Sequence, residues 1–236
     1  MKLLKNWDNK TWLSSNKYIN FFCKFLISKS KINKKTKILD IGCGRANIIS
    51  KLQKIYKFHE RPVGIDVIKN DNIKKNINFL KTDAIKYLKK FDKKYDIILI
   101  KQTIHFFSKK DIKTLLNLIK KRLKKNGQLL IFSIRIKKNE IPVFKKMNTC
   151  FKKSIEYDKT IFKEIKKILK KISINHLSYK VVVLRNTYVK MLKKRYISCL
   201  LKMTDKELIE GAKEIKLTHN KRITFCDKLT CVIYKN

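Results

Sequence analysis

The stretch Ile38-Leu39-Asp40-Ile41-Gly42-Cys43-Gly44-Arg45-Ala46 decides how the rest of the chain is read. A short apolar run carrying one acid ends in a Gly-x-Gly turn, and the segment after it places Ile48, Leu52 and Ile55 on one helical face. A strand, a glycine turn and a helix in that order solve a definite problem. Glycine lets the backbone approach a ligand closely, and the first turn of the helix offers unpaired N–H groups to it. Alone, such a turn is weak evidence, so the flanking sequence must carry the argument.

On the C-terminal side the pattern alternates. Pro62 to Asp66 reads as a second strand, Ile77 to Leu80 as a third, and Tyr95 to Ile100 as a nearly all-apolar strand buried on both faces. Ser108 with Asp111 starts a capped helix bearing Ile112, Leu115, Leu116, Ile119 and Leu123 on one stripe, with Asn126-Gly127 expected to end it. Leu129 to Ile134 is the fifth strand. Alternation of this kind specifies a parallel sheet with right-handed crossovers, helices on both faces, and a ligand at the carboxyl ends of the strands.

Beyond Pro142 the pattern changes. Ile161, Ile165, Ile168 and Ile172 mark a helix, Lys180 to Leu184 a strand, and Asn186 to Lys202 a further helix. Thr204 with Glu207 caps another helix running to Ile215, and Arg222 to Tyr234 reads as one or two closing strands. Residues 140–220 are expected to contain a helical cap over the ligand mouth, and residues 1–35, with Trp7, Trp12 and Tyr18, a helical lid. With 236 residues, 44% of them hydrophobic, one folding unit over 36–236 with such an insertion is the simplest arrangement.

The formal charge of +42 invites a nucleic-acid reading. Of the 60 basic residues only seven are Arg, however, and the lysines run from Lys2 to Lys235 without forming a block. Lys, Ile and Asn abound while alanine occurs only at Ala46, Ala84 and Ala212, the usage AT-rich codons produce. Base readers favour Arg for its bidentate fork. Nucleic acid is therefore the disfavoured partner. The six cysteines (Cys23, Cys43, Cys150, Cys199, Cys226, Cys231) form no CxxC pair and no zinc-like cluster, so no metal is expected and a reduced, cytoplasmic setting is. The best apolar run near the N-terminus, Ile19 to Ile27, is broken by Asn20 and Lys24 and does not make a membrane span.

In their order, these segments resemble the motifs of class I S-adenosylmethionine-dependent methyltransferases. Residues 38–46 look like motif I, Val63-Gly64-Ile65-Asp66 like motif II, Leu80 to Ala84 like motif III, Tyr95 to His105 like motif IV, and Leu123 to Phe132 like the motif of the fifth strand. The chain departs from the family pattern at the third glycine, where Ala46 stands. The resemblance covers about residues 36–135 and implies a Rossmann-like α/β fold: a seven-stranded, mostly parallel sheet with helices on both faces and a helical cap inserted after the fifth strand. It implies S-adenosyl-L-methionine as cofactor, with Gly42 and Gly44 packed against it and Asp40 orienting the methionine amino group. Asp66 would accept from the ribose hydroxyls, Asp83 and Ala84 would meet the adenine, and Lys101 and Gln102 would border the methionine end. A dinucleotide fold is the nearest structural rival, but its fingerprint needs a small residue where Asn47 stands.

The acceptor is narrowed by what is absent. The Asn/Asp-Pro-Pro-aromatic turn of exocyclic-amine methyltransferases is replaced by Lys101-Gln102-Thr103-Ile104, and no cysteine lies near the fourth strand for cytosine-C5 chemistry. What remains resembles the type-11 group acting on an oxygen or nitrogen of small, often acidic, molecules. His105 is the candidate base or substrate ligand, with packing against Phe106 and Phe107 as the plain alternative. A faint similarity of residues 188–198 to substrate-facing helices of that group makes Tyr188 and Arg195 the substrate candidates, with a solvated helix face as the alternative. Two other functions stay open: an RNA methyltransferase on the same cofactor domain, and a catalytically idle cofactor-binding module.

Overall fold

In the computed structural model, residues 5, 6, 8 and 10–236 are described; Trp7 lies outside them. The strands are β1 (Ile38–Ile41), β2 (Val63–Asp66), β3 (Asn78–Lys81), β4 (Tyr95–Lys101), β5 (Leu123–Ile134), β6 (Ile172–Leu184) and β7 (Arg222–Lys235). They form one sheet in the order β3-β2-β1-β4-β5-β7-β6. β1 to β5 are parallel, and β7 runs antiparallel to both β5 and β6. The helices are α1 (Asn16–Lys29), α2 (Asn47–Tyr56), α3 (Ala84–Lys90), α4 (Lys109–Arg122), α5 (Lys145–Ile168), α6 (Arg185–Lys193) and α7 (Asp205–Thr218).

The apolar run of β4 is buried on both faces because helices cover both. Ile97 and Leu99 pack with Phe22 and Leu26 of α1 and Ile49 and Leu52 of α2. Ile98 and Ile100 pack with Leu88 of α3, Leu115 and Ile119 of α4, and Ile161 and Ile165 of α5. Period-two burial in the strand meets period-3.6 stripes on the helices, and that match fixes the layering. The N-terminal helix is part of this cover: Phe22 and Phe25 hold their rings 4.6 and 5.8 Å from that of Phe132.

Three boundaries differ from the sequence expectation. Leu123 begins β5 beside Tyr95 instead of continuing α4, and Asn126, at φ +65°, turns within the strand where the register with β4 shifts. Ile172 opens β6 instead of closing α5, because Lys171 in the left-handed region (φ +59°) breaks the helical period. The helix expected over 186–202 stops at Lys193, and Arg195, at φ +54°, leads into a 3-10 turn at Ser198–Leu200.

The β6–β7 hairpin outruns β5. Ile134 pairs with Leu229, which pairs with Leu177, so residues 178–184 and 222–228 project past the carboxyl end of β5. α6 and α7 connect the projecting ends and build a third apolar cluster from Tyr188, Leu192, Leu208, Ile215 and Phe225 with Phe144, Met147 and Phe151. α7 starts on the expected Thr204–Glu207 capping box. The cap helices thus lie between β6 and β7, while α5 and β6 occupy the earlier part of residues 140–220 as elements of the sheet layers.

Candidate active site

The glycine turn follows β1 at the carboxyl edge. Gly42 and Gly44 have φ of +72° and +57°, a region in which side chains are strained. At Gly42 a Cβ would fall 2.3 Å from Thr103 Oγ1, so the β1 and β4 ends meet there with no room for a methyl group. At Gly44 the same atom would meet nothing within 4 Å, leaving the backbone bare over open space. Ala46, also left-handed at φ +59°, sets α2 going without a side-chain cap, and its N–H donates to the Cys43 carbonyl.

Asp66, at the end of β2, reaches back to this turn. Its Oδ2 accepts from the Gly44 N–H and its Oδ1 from the Ile68 N–H, both at 2.9 Å. A carboxylate has about four acceptor positions, so room remains for further donors. Burial raises its pKa, and the backbone N–H groups pull the other way. Asp83 caps α3, its Oδ1 accepting from the Ile85 and Lys86 N–H groups, with buried Ala84 as the first helical residue.

Asp40 is buried at the inner side of the turn. Desolvation pushes its carboxyl up to about 7, against the attraction of Lys101 and with the repulsion of Asp66. The Lys101 ammonium lies 5.2 and 5.4 Å from the ring centroids of Tyr18 and Phe22, in cation–π range, and donates to Gln102 Oε1 at 3.2 Å. Burial lowers the pKa of Lys101, while Asp227, Asp40 and Asp8 favour its charge. Gln102 itself turns at φ +53°, its N–H donating to the Phe132 carbonyl at 2.8 Å.

Asp227 was not singled out by the sequence reading. It is 2% exposed and accepts from the Trp12 indole N–H at 3.0 Å. A signal for it existed: Ile223, Phe225, Leu229, Cys231 and Ile233 alternate along β7 as buried residues, and an acid interrupts that row. The segment before α1 joins the same edge. Asn6 bonds Asn70 and Asp71 after β2, Asp8 pairs with Arg45 of the glycine turn at 2.9 Å, and Trp12 meets Asp227 on β7. Asn6, Asp8 and Trp12 therefore make contacts along the carboxyl edge from β2 to β7.

The remaining candidates are placed as follows. His105 sits in the 3-10 turn Ile104–Phe106 with its ring 4.2 Å from that of Phe106. Its buried Nε2 has no hydrogen-bond partner among the described residues, and desolvation lowers its pKa to about 4, so the ring is neutral at physiological pH. Tyr188 donates to the Pro142 carbonyl and meets the Tyr196 hydroxyl at 2.8 Å inside the cap. Arg195 bonds the Met203 carbonyl and Asp205. Both of these groups are engaged in holding the cap together, and neither is brought into the cluster of Asp40, Asp66 and Lys101.

Sheet order, glycine turn and strand-end acid define the Rossmann-like class I methyltransferase fold. A family model described as a methyltransferase domain matches residues 32–195. The chain belongs to this methyltransferase domain family. Among solved structures, it is similar to an S-adenosylmethionine-dependent methyltransferase of Archaeoglobus fulgidus at 17% identity, covering 94% of this chain and 95% of that one, with a TM-score of 0.54. It is also similar to the YcgJ protein of Bacillus subtilis (15% identity, 91% and 97% covered, TM-score 0.55). The plantazolicin methyltransferase BamL, crystallised with a triazolic desmethylPZN analog and SAH, shares 18% identity over 98% of this chain and 88% of that one, with a TM-score of 0.52. At these identities the likeness is one of fold. Comparison with curated proteins finds no match in sequence.

Proposed function

We propose that the chain transfers a methyl group from S-adenosylmethionine to an oxygen or nitrogen of a small molecule, acidic acceptors included. One observation carries the reading: the Asp66 carboxylate is locked onto the Gly44 N–H beside a bare glycine surface, with acceptor positions left over. A ribose diol fits there, each hydroxyl donating to one carboxylate oxygen. Asp40 and Lys101 face the methionine end as a carboxylate and an ammonium, matching a zwitterionic amino-acid tail of the opposite order. Asp83 Oδ2 and the start of α3 at Ala84 form the adenine end, and Gln102 borders the transferred group.

The sulfonium supplies an electrophilic methyl when the cofactor is bound; the protein's work is alignment and exclusion of water. Asp8 and Trp12, tied down by Asp8–Arg45 and Trp12–Asp227, belong to the lid, and the α6–α7 cap closes the acceptor side. His105, neutral and weakly basic, serves as a hydrogen-bond partner for the acceptor instead of a strong base. Tyr188 and Arg195 keep the cap folded. Among the described residues no helix is long and apolar enough to cross a membrane, and the six cysteines are free; we place the enzyme in the cytoplasm.

Calorimetric titration with S-adenosylhomocysteine tests the reading. Saturable one-to-one binding that is lost in Asp66→Ala supports it, and a folded sample that ignores the nucleoside at millimolar concentration overturns it.

A further inference from the structure

Helix α5 carries an anomaly on its inward stripe. Met147, Phe151, Ile161 and Ile165 are its buried residues, and position 158 continues that row one turn before Ile161. An aspartate stands there. Among the described residues it has no hydrogen-bond or ion-pair partner, and burial alone raises its carboxyl to about 7. Asp227 is a comparable intruder on the apolar face of β7, but Trp12 and Lys101 answer it. An acid desolvated without compensation destabilises the fold, so its place calls for something that comes to it.

Asp158 opens on a cavity of about 450 Å³ between α5 and the β5–β7–β6 half of the sheet, within the size range of small-molecule sites. Ile131, Val232 and Ile174 form the sheet wall, and Ile161, Phe162 and Ile165 the helix wall. No lining residue belongs to β1, β2, β4 or the glycine turn, so the cavity is distinct from the cofactor edge. Arg135 lines it too. Of the seven arginines, Arg45, Arg122, Arg185 and Arg195 bond protein acceptors through their guanidinium groups, and Arg61 and Arg222 are exposed. Arg135 is half-buried, and its guanidinium has no partner among the described residues.

We propose that this cavity binds a small zwitterion with an apolar body, its cationic nitrogen on Asp158 and its anionic group on Arg135, as the two ends of an apolar amino acid or dipeptide present them. Asp158 and Arg135, opposite in charge, share one cavity and form no ion pair with each other. A molecule carrying both charges satisfies both. A simple anion would leave Asp158 unanswered, and a simple cation would meet the charges of Arg135, Lys137 and Lys159 in the lining. Ser133 and Thr230 add hydroxyls, and the His176 ring lies 3.5 Å from the Thr230 hydroxyl.

The test is calorimetry on the full chain with the dipeptide Phe-Leu, its N-acetyl form and its C-terminal amide. Phe-Leu should bind saturably, and each blocked form at least tenfold more weakly. Asp158→Asn should weaken Phe-Leu, and Arg135→Gln likewise, each about tenfold, while S-adenosylhomocysteine binding stays unchanged. The last readout separates this site from the methyl-transfer reading. Circular dichroism should show Asp158→Asn melting no lower than wild type, so that lost binding is not lost folding. Lowering the pH from 7.5 to 5.5 should weaken Phe-Leu about tenfold as Asp158 takes up its proton. Arg135, Lys137, Lys159 and His176 are the charged or titratable groups that line the cavity with it, with none from α4. Absence of binding at 5 mM Phe-Leu, equal binding of either blocked form, or unchanged binding by Asp158→Asn would each overturn the proposal.

Discussion

A single methyl group added at position 42 tests the geometry of the glycine turn. In Gly42→Ala the new Cβ would lie 2.3 Å from Thr103 Oγ1, 2.4 Å from its Cγ2 and 2.7 Å from its Cβ. Rotating Thr103 moves the first two atoms away but not the third, and it breaks the hydroxyl bond to the Lys101 carbonyl at 3.0 Å. The backbone must therefore shift. A left-handed φ costs an L-residue about 1–2 kcal/mol, and overpacking adds about 1–3 kcal/mol. The expected loss is about 2–5 kcal/mol, a fall in Tm of roughly 4–20 °C for a chain of this length. Urea denaturation of Gly42→Ala, Thr103→Gly and the double variant separates the two contributions. Thr103→Gly removes all three of these atoms and leaves the φ strain, so position 42 should cost about 1–3 kcal/mol less in that background. A loss below about 0.5 kcal/mol for Gly42→Ala, or an equal loss in both backgrounds, would refute the contact between the β1 and β4 ends.

Other predictions concern the acids. Asp66→Ala orphans the Gly44 N–H and, in the proposed complex, both ribose hydroxyls; at about 1.5–3 kcal/mol for each bond to a charged group, calorimetry should show S-adenosylhomocysteine affinity reduced at least a hundredfold. Trp12→Phe removes the indole donor from buried Asp227 and should cost about 1–3 kcal/mol in chemical denaturation, with little change in far-ultraviolet circular dichroism. For Asp158 the folded pKa of about 7 lies above the unfolded value near 3.9. The folded state therefore holds the proton more tightly, and stability falls as pH rises through the window from about 4 to 7. Thermal melts of Asp158→Asn should lack that share of the decline and exceed wild type near pH 8. His105, held neutral down to about pH 4, should leave no limb on the rate profile between pH 6 and 8, and His105→Asn should keep the shape of that profile.

The parallel half of the sheet was legible because its signals are local. Each strand from β1 to β5 announces itself by a short apolar run, and the intervening helices by stripes of the right period. The failures came where period and pairing disagree. Ile172 fits a helical stripe through Ile168 and also the alternation of β6, and the ladder with β7 decides for the strand. Leu123 likewise completes the stripe of α4, yet it pairs with Tyr95. Asp227 was overlooked because its partners, Trp12 and Lys101, lie far away in sequence. Arg195 stood as a substrate candidate with a solvated helix face as the alternative, and the structure engages it with Asp205, ten positions on.

What the sequence by itself determined is the order of strands and helices up to Ile134, the glycine turn and the acids at the strand ends. Those features follow from side-chain periodicity and backbone conformation within a few residues. Only the tertiary structure decided how the buried charges are answered: Trp12 reaches Asp227 across 215 positions, Asp8 meets Arg45, and Asp158 is left facing a cavity. A hydrogen bond or ion pair acts over a few ångströms of space, and the chain brings its partners there only once the whole sheet has formed.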